Sequence, residues 1–232
     1  MLKIKVVTHR LLIAFATLLL LTSCLEQNGR KEETKEDIAT PYDKKPLSNA
    51  EVAALWKLLP RNWDNPQRAE SPAGNYERLL FGMAGKVRGI YQTARLEDGQ
   101  MDNATRLSTA FMDPSGRYLV GKDSTTESSD DQETTYYVIY FEPKEDLYRG
   151  VSWTQGFLGK EKPKQMVGKH VPGELKIRWK AFDPGRYAGN SSILEIKNSN
   201  EFIWTITLYK DGKEHSKLIN TSILSESWEG NP

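Results

Sequence analysis

Residues 201–213, EFIWTITLYKDGK, decide the fold class of this chain. Phe202, Trp204 and Ile206 lie on one face of a run whose intervening residues form the other face, and this period of two is that of a β-strand. The Asp-Gly pair at 211–212 follows at once and is a strong signal for a tight hairpin. The stretch therefore predicts a strand that turns back into an antiparallel neighbour.

The same period recurs from residue 85 onward, with turn signals between the runs. Residues 113–116, DPSG, suit a type I turn, and residues 171–174, VPGE, suit a type II turn. About ten strands are predicted. They are Val87–Leu96, Arg106–Met112, Arg117–Gly121, Thr134–Phe141, Leu147–Thr154, Gln165–Val171, Glu174–Lys180, Ser192–Ile196, Phe202–Tyr209 and Lys213–Leu224.

Short connections between these strands imply an antiparallel meander. Closing a meander into a barrel removes its exposed edges. The predicted fold class is therefore all-β, a meander closed as a barrel of about 8–10 strands, preceded by one short helix.

The helix is predicted over residues 48–59. Ser48 and Glu51 match the capping-box pattern, in which each side chain accepts from the other residue's backbone. Val52 and Leu55 follow at helical spacing, and Pro60 ends the run. We expect this helix to close one end of the barrel and residues 61–80 to form a loop.

Two hairpin segments carry a family resemblance. Residues 140–150, YFEPKEDLYRG, and residues 201–213 resemble the hairpins of lipocalin-like calycin barrels, in particular uncharacterised bacterial barrel domains. The likeness extends over roughly residues 85–225. It implies a lipocalin-like β-barrel domain, which we place at residues 47–228.

The amino-terminal segment has the pattern of a secretion signal. Basic residues in the first ten positions precede an uncharged apolar run at 11–21. A membrane-spanning helix needs about 20 apolar residues, so this run is typical of a signal-peptide core. It ends in residues 21–24, LTSC, which resemble the lipobox of bacterial lipoproteins. That resemblance implies cleavage before Cys24 and attachment of lipid to its thiol.

The lipobox divides the chain into three parts. Residues 1–23 are the expected signal peptide, and residues 24–46 are the expected lipidated cysteine and a flexible tether rich in charge. Acyl chains on Cys24 would anchor the protein to a membrane. By what is known of lipoprotein sorting, Leu25 favours the outer membrane of a bacterial cell envelope, on either face.

Composition excludes several classes of protein. The 232 residues carry a net charge of +1 with 27% charged and 38% hydrophobic residues, which is ordinary for a soluble domain. A multi-span membrane protein and a basic nucleic-acid binder are thereby excluded. The single cysteine excludes a disulfide scaffold and a cysteine-based zinc site. Removing the three basic residues of the signal peptide would leave a charge of −2.

Polar residues offer little sign of chemistry. His170 and His215 are candidate haem or metal ligands, but both lie near predicted turns, and we expect them on the surface. No nucleophile, phosphate-binding or dinucleotide motif is present. We therefore predict no cofactor, no metal and no enzymatic activity. An acidic stretch could hold Ca²⁺ or, as we prefer, be a solvated loop; its carboxylates are Asp123, Glu127, Asp130, Asp131 and Glu133.

Aromatic residues within the strands are the remaining candidates. Inward-facing aromatics can line a cavity for one small hydrophobic ligand or simply fill the barrel. In the first case the protein is an anchored ligand-binding lipoprotein. In the second it is a structural lipoprotein that presents loops to an envelope partner. The candidate ligand-binding residues are Trp153, Trp179, Trp204, Tyr91 and Tyr137.

Overall fold

A computed structural model describes residues 44–95, 101–125, 134–156, 159–160, 162–182, 191–210 and 213–226. All of them belong to one compact unit, residues 38–232. The helices in these ranges are α1 (Asn49–Trp56) and α2 (Glu77–Phe81). The strands are β1 (Gly85–Arg95), β2 (Met101–Met112), β3 (Tyr118–Thr125), β4 (Thr134–Glu142), β5 (Leu147–Gly156), β6 (Gly159–Lys160), β7 (Lys164–His170), β8 (Lys176–Ala181), β9 (Ser191–Asn198), β10 (Glu201–Lys210) and β11 (Lys213–Glu226).

The ten long strands form a closed ring. Each pairs antiparallel with its neighbours in chain order, and β7 follows β5 because the two-residue strand β6 only extends the β5 edge. β11 pairs with β1 over nearly the whole length of β1, which closes the ring. The predicted all-β meander closed as a barrel is confirmed, and all ten predicted strands are present with shifted ends.

Turn chemistry sets the connections as predicted. The N–H of Gly116 donates to the Asp113 carbonyl at 2.8 Å, and the Asp113 carboxylate accepts from the Tyr118 N–H at 2.9 Å. Gly173 adopts φ +78° at the third position of its turn, which a side chain would disfavour. These turns fix the β2–β3 and β7–β8 hairpins.

Side chains from strands β2 to β5 and β7 to β11 meet in one cluster, which therefore lies in the interior of the barrel. It includes Met112 of β2, Ile139 of β4, Ile177 of β8 and Phe202 of β10. α2 adds Leu80 and Phe81 to the same cluster, followed by Met83 and Ala84. α2 therefore closes one end of the barrel, in a stretch where the sequence predicts only loop.

A second cluster lies on the outer surface of the barrel. Phe111, Val120, Val138 and Val151 are successive register partners on β2 to β5, and each is one residue away from an inward-facing side chain. Val52 and Leu55 of α1 are buried against this row.

The expectation that the first helix closes the barrel end is thus wrong. The reason is that an apolar row on the outer face of four strands gives α1 a place to bury its own apolar side chains. The capping box itself is confirmed, with the Ser48 N–H donating to Glu51 Oε2 at 2.7 Å. The helix ends at Trp56, three residues before the predicted end.

Residues 44–48 are tied to the barrel by hydrogen bonds. The Leu47 N–H donates to Gln165 Oε1 at 2.7 Å, and Gln165 Nε2 donates to the Leu47 carbonyl at 3.2 Å. Arg149 Nη1 donates to the Lys45 carbonyl at 3.2 Å, so the end of the predicted tether contacts the domain. Among the residues described above, no helix has the length and apolarity to cross a membrane.

Candidate functional site

A file of aromatic rings runs from α2 into the interior of the barrel. Tyr76 stacks on Phe141 with centroids 3.9 Å apart, and Phe141 meets Tyr148 edge-on at 5.2 Å. Tyr148 lies 6.2 Å from Trp179, which stacks on Trp204 at 6.0 Å with 21° between their planes. Five rings from α2, β4, β5, β8 and β10 are thereby joined along one path.

Glycines on neighbouring strands make room for these rings. A Cβ placed on Gly168 of β7 would lie 2.8 Å from Trp179 Cδ2 and 2.7 Å from Ile177 Cγ2. On β3, a Cβ on Gly121 would collide with the ring of Tyr137. Trp179 and Tyr137 therefore lie close against the barrel wall, because the facing strand position has no side chain.

Burial differs between two parts of the interior. Near α2 the inward side chains are buried, with Leu119 at 0%, Trp179 at 1% and Met112 at 1% exposure. Trp204 and other inward-facing residues are only half-buried; they are Ser108, Asp123, Tyr137, Ile206, Leu218 and Asn220. An inward-facing side chain of a closed barrel is exposed through the interior or its open end. Among the described residues, side chains therefore do not fill this part of the interior, which we call the cup.

Polar groups cluster on one wall of this cup. Ser108 of β2 and Asp123 of β3 are register partners, and the Ser108 hydroxyl hydrogen-bonds the Asp123 carboxyl. Ser108 Oγ also lies 3.4 Å from the Tyr137 hydroxyl, which joins the tyrosine to the acid through the serine. Arg106 lies two residues before Ser108 on the same face of β2.

Electrostatics distinguishes Asp123 from a surface carboxylate. Burial raises the pKa of the Asp123 carboxyl, while the Ser108 hydrogen bond and the charge of Arg106 act in the opposite direction. Burial also raises the pKa of the Tyr148 hydroxyl, which donates to the Tyr76 carbonyl at 2.9 Å. The Asp123 carboxyl thus keeps its proton to higher pH than a surface carboxyl does.

Three of the five predicted ligand-binding residues contact the interior cluster: Trp179, Trp204 and Tyr137. The backbone of Tyr91 pairs with Asn220 and Ala104, and its side chain lies outside the described part of the structure.

Trp153 differs from the prediction. It packs against the outer cluster, with its ring 5.2 Å from that of Trp56 of α1. The physical reason is strand parity: Trp153 is an odd number of residues from Tyr148, which faces the interior. Trp153 therefore does not line the cup.

Other candidate residues take positions that the sequence did not indicate. His170 and His215 lie within β7 and β11 and are half-buried, so the expectation of exposed turn positions is wrong. Asp123 belongs to β3 and not to a loop, and the rest of its acidic stretch, 126–133, lies outside the described residues. Within the described residues, no group of three or more histidine, cysteine or carboxylate side chains could hold a metal ion. Cys24 also lies outside the described residues.

Arg106 and Ser108 are site residues that the sequence did not point to, and Asp123 was considered there only as part of an acidic loop. Their signal is the period of two: Arg106 and Ser108 continue the face of Ala110 and Met112. Asp123 likewise continues the inward face of Leu119 on β3. It was missed because the predicted strand ended at Gly121.

Comparison with known proteins finds similarity in structure but none in sequence families or curated proteins. No protein family and no curated protein matches the sequence of this chain. Among solved structures, the S-type phycobiliprotein lyase CPES from Guillardia theta is similar in fold, with 9% identity and a TM-score of 0.47. The match covers 67% of this chain and 95% of the lyase.

This finding corrects one prediction. The sequence led us to expect no enzymatic activity, whereas the similar solved structure is named a lyase. The prediction that excludes enzymatic activity is therefore withdrawn. Motifs such as a nucleophile elbow are absent from the sequence, but a barrel interior assembles its polar groups from distant strands, as it does for Ser108, Asp123 and Tyr137.

Proposed function

We propose that this protein is a membrane-anchored lipoprotein whose barrel binds one small hydrophobic molecule. The observation that carries the proposal is the difference in burial along the interior. The inward side chains near α2 are packed, whereas Trp204, Ile206 and Leu218 remain half-buried. A barrel that served only as a packed scaffold would have no reason to leave large apolar side chains accessible from within.

The chemistry of the cup indicates the class of ligand. Trp204, Ile206 and Leu218 present apolar surface, and such surface favours an apolar molecule over water by about 25 cal/mol for each Å² buried. The polar wall of Ser108, Asp123 and Arg106 offers hydrogen bonds and charge to one end of that molecule. Ligand pockets commonly combine an apolar lining with a few polar groups in this way.

The anchor is proposed from the sequence. Residues 21–24, LTSC, resemble a lipobox, and Cys24 is the only thiol in the chain. Two or three acyl chains contribute about 0.8 kcal/mol for each buried CH₂, which is sufficient for stable attachment. The segment from Leu25 to about Pro46 would space the barrel from the outer membrane.

A second candidate function is a structural role without a ligand. It is favoured by the packed part of the interior, where Trp179 and Tyr148 are almost completely buried. In that case the barrel would present its loops to another protein of the envelope. The two functions differ in whether the half-buried part of the cup is occupied in the cell.

Tryptophan fluorescence tests the ligand proposal. We expect a saturable change on addition of a neutral nine-carbon probe, 2-nonanone, because Trp204 faces the accessible part of the cup. The Trp204→Phe variant should lose most of this change, whereas Trp153→Phe, on the outer surface, should retain it. No saturable change in the unmodified chain would count against a ligand cup.

The anchor is tested separately by fractionation. Cys24→Ala should release the protein from membranes and abolish metabolic labelling with radioactive palmitate. Cys24→Ser serves as a second variant that removes only the sulfur. Labelling that persists in either variant would refute lipidation at this residue.

A further inference from the structure

Two indole N–H groups in the interior have no hydrogen-bond partner. The Nε1 atoms of Trp179 and Trp204 are both buried, and neither finds an acceptor among the described residues. Trp179 is only 1% exposed, so bulk water does not satisfy its donor. An unsatisfied buried donor costs about 1–3 kcal/mol, and native proteins contain few of them. A stacked pair of such donors therefore indicates an acceptor that the described residues do not supply.

The position of the pair connects it to the cup. Trp179 lies at the packed end of the interior, while Trp204 is half-buried and faces the accessible part. Since the two rings stack with centroids 6.0 Å apart, a molecule that reaches Trp204 also comes close to Trp179. The pair thus spans the boundary between the packed end of the interior and its accessible part.

The register neighbours of the pair are uncharged. Gly168 and Ser192 flank Trp179 on β7 and β9, and Leu194 and Asn220 flank Trp204 on β9 and β11. A carboxylate buried here would lose its hydration without gaining an opposite charge from these positions, which is costly. A neutral acceptor loses much less on transfer.

From these observations we infer that the ligand carries a neutral carbonyl oxygen, as in a ketone or an ester, which accepts hydrogen bonds from Nε1 of Trp179 and Trp204. This inference rests on the proposed function of the barrel as a ligand cup. A carbonyl oxygen has two lone pairs and can accept from both donors. The apolar remainder of the molecule lies against Ile206 and Leu218.

The experiment compares two small probes that differ in one oxygen. The chain from Leu25 to Pro232, which contains the whole compact unit 38–232, is labelled with ¹⁵N and titrated with nonane, with 2-nonanone and, for comparison with an anion, with nonanoate. The indole N–H signals of all six tryptophans are followed by NMR. Trp204→Phe removes one donor and keeps an aromatic ring, and Trp153→Phe is the matched control on the outer surface.

If the inference holds, 2-nonanone binds about tenfold more tightly than nonane, which corresponds to about one neutral hydrogen bond. The indole signals of Trp179 and Trp204 move to higher proton frequency with the ketone alone. In Trp204→Phe the preference falls to about threefold, because the Trp179 donor remains, and in Trp153→Phe it is unchanged.

Three outcomes would overturn the inference, and they separate it from the proposed function. If both probes bind with equal affinity, the cup exists but the indole donors do not select a carbonyl. If nonanoate binds more tightly than 2-nonanone and this preference is lost in Trp204→Phe, the acceptor is an anion. If neither probe binds and no indole signal moves, the inference and the cup both fail.

Discussion

Trp179 and Trp204 stack inside the barrel although their strands, β8 and β10, are not adjacent in the sheet. β9 lies between them and contributes Leu194, the register partner of both Ile177 and Trp204. The contact is possible because the side chains converge inward from a curved wall. It links the packed end of the interior to the accessible part, so the chemistry of the cup depends on this pair.

A methyl group added at Gly168 should destabilise the barrel. Its Cβ would lie 2.7 Å from Ile177 Cγ2 and 2.8 Å from two atoms of the Trp179 ring. We expect Gly168→Ala to lower the free energy of unfolding by about 1–3 kcal/mol, as overpacking does in a filled core. Urea denaturation measures this change. The control is Gly82→Ala, whose Cβ would meet only backbone oxygens at 3.6 and 3.7 Å; equal midpoints for the two variants would contradict the described packing.

The stability of the protein should depend on pH through Asp123. Because burial raises the folded-state pKa of this carboxyl above its unfolded value, the folded state binds the proton more tightly. Its contribution to stability is therefore fully present below the unfolded pKa and is lost as pH rises through the folded pKa.

Asp123→Asn removes this dependence. Relative to the unmodified chain, the variant should gain stability as pH rises above 3.8, the ordinary pKa of the group. In Ser108→Ala, the loss of stability should continue to higher pH than in the unmodified chain. The reason is that the Ser108 hydrogen bond lowers the pKa of the Asp123 carboxyl, so its removal raises that pKa further. Urea midpoints from pH 3 to pH 8 provide the measurement. A stability difference between Asp123→Asn and the unmodified chain that is constant with pH would show that the carboxyl is not buried.

Gln165 should hold the segment before α1 against the barrel. Its side chain makes two hydrogen bonds to the backbone of Leu47, at 2.7 and 3.2 Å. Gln165→Ala should cost about 1–2 kcal/mol of stability and speed trypsin cleavage after Lys44, since the bond after Lys45 precedes Pro46 and resists trypsin. The control is Gln155→Ala, an exposed position on β5. Unchanged cleavage in Gln165→Ala would mean that the segment is held by other contacts.

Trp153 should support α1 without affecting the cup. Its ring contacts that of Trp56 at 5.2 Å and packs on the outer cluster. Trp153→Ala should lower stability by about 1–3 kcal/mol, less than full truncation of a core aromatic, because Trp153 is only half-buried. The affinity for 2-nonanone should change less than twofold relative to the unmodified chain, which is a change of less than about 0.4 kcal/mol in binding free energy. A loss of affinity that exceeds tenfold would place Trp153 in the binding site.

The strands and most turns could be predicted from the sequence because their signals are local. The alternation of Phe202, Trp204 and Ile206 requires no knowledge of the partner strand. The same holds for Gly173, whose positive φ follows from its place in the turn.

Which face of each strand points inward could not be predicted in the same way. Trp153 and Trp179 lie in similar alternating runs, and only the closed register shows that one faces α1 and the other the interior. The short helix α2 was also missed, because its five residues are stabilised by burial of Leu80 and Phe81 and not by a capping signal. Both failures concern contacts between residues far apart in the chain.

Native mass spectrometry tests most directly whether the barrel is a ligand cup. The chain from Leu25 to Pro232 would be exported to the envelope of a bacterial host and purified without detergent. It would then be transferred to the gas phase in its folded state. We predict a population that carries one small molecule per chain and releases it on collisional activation. A single unliganded mass, together with no fluorescence response to added 2-nonanone, would contradict the account.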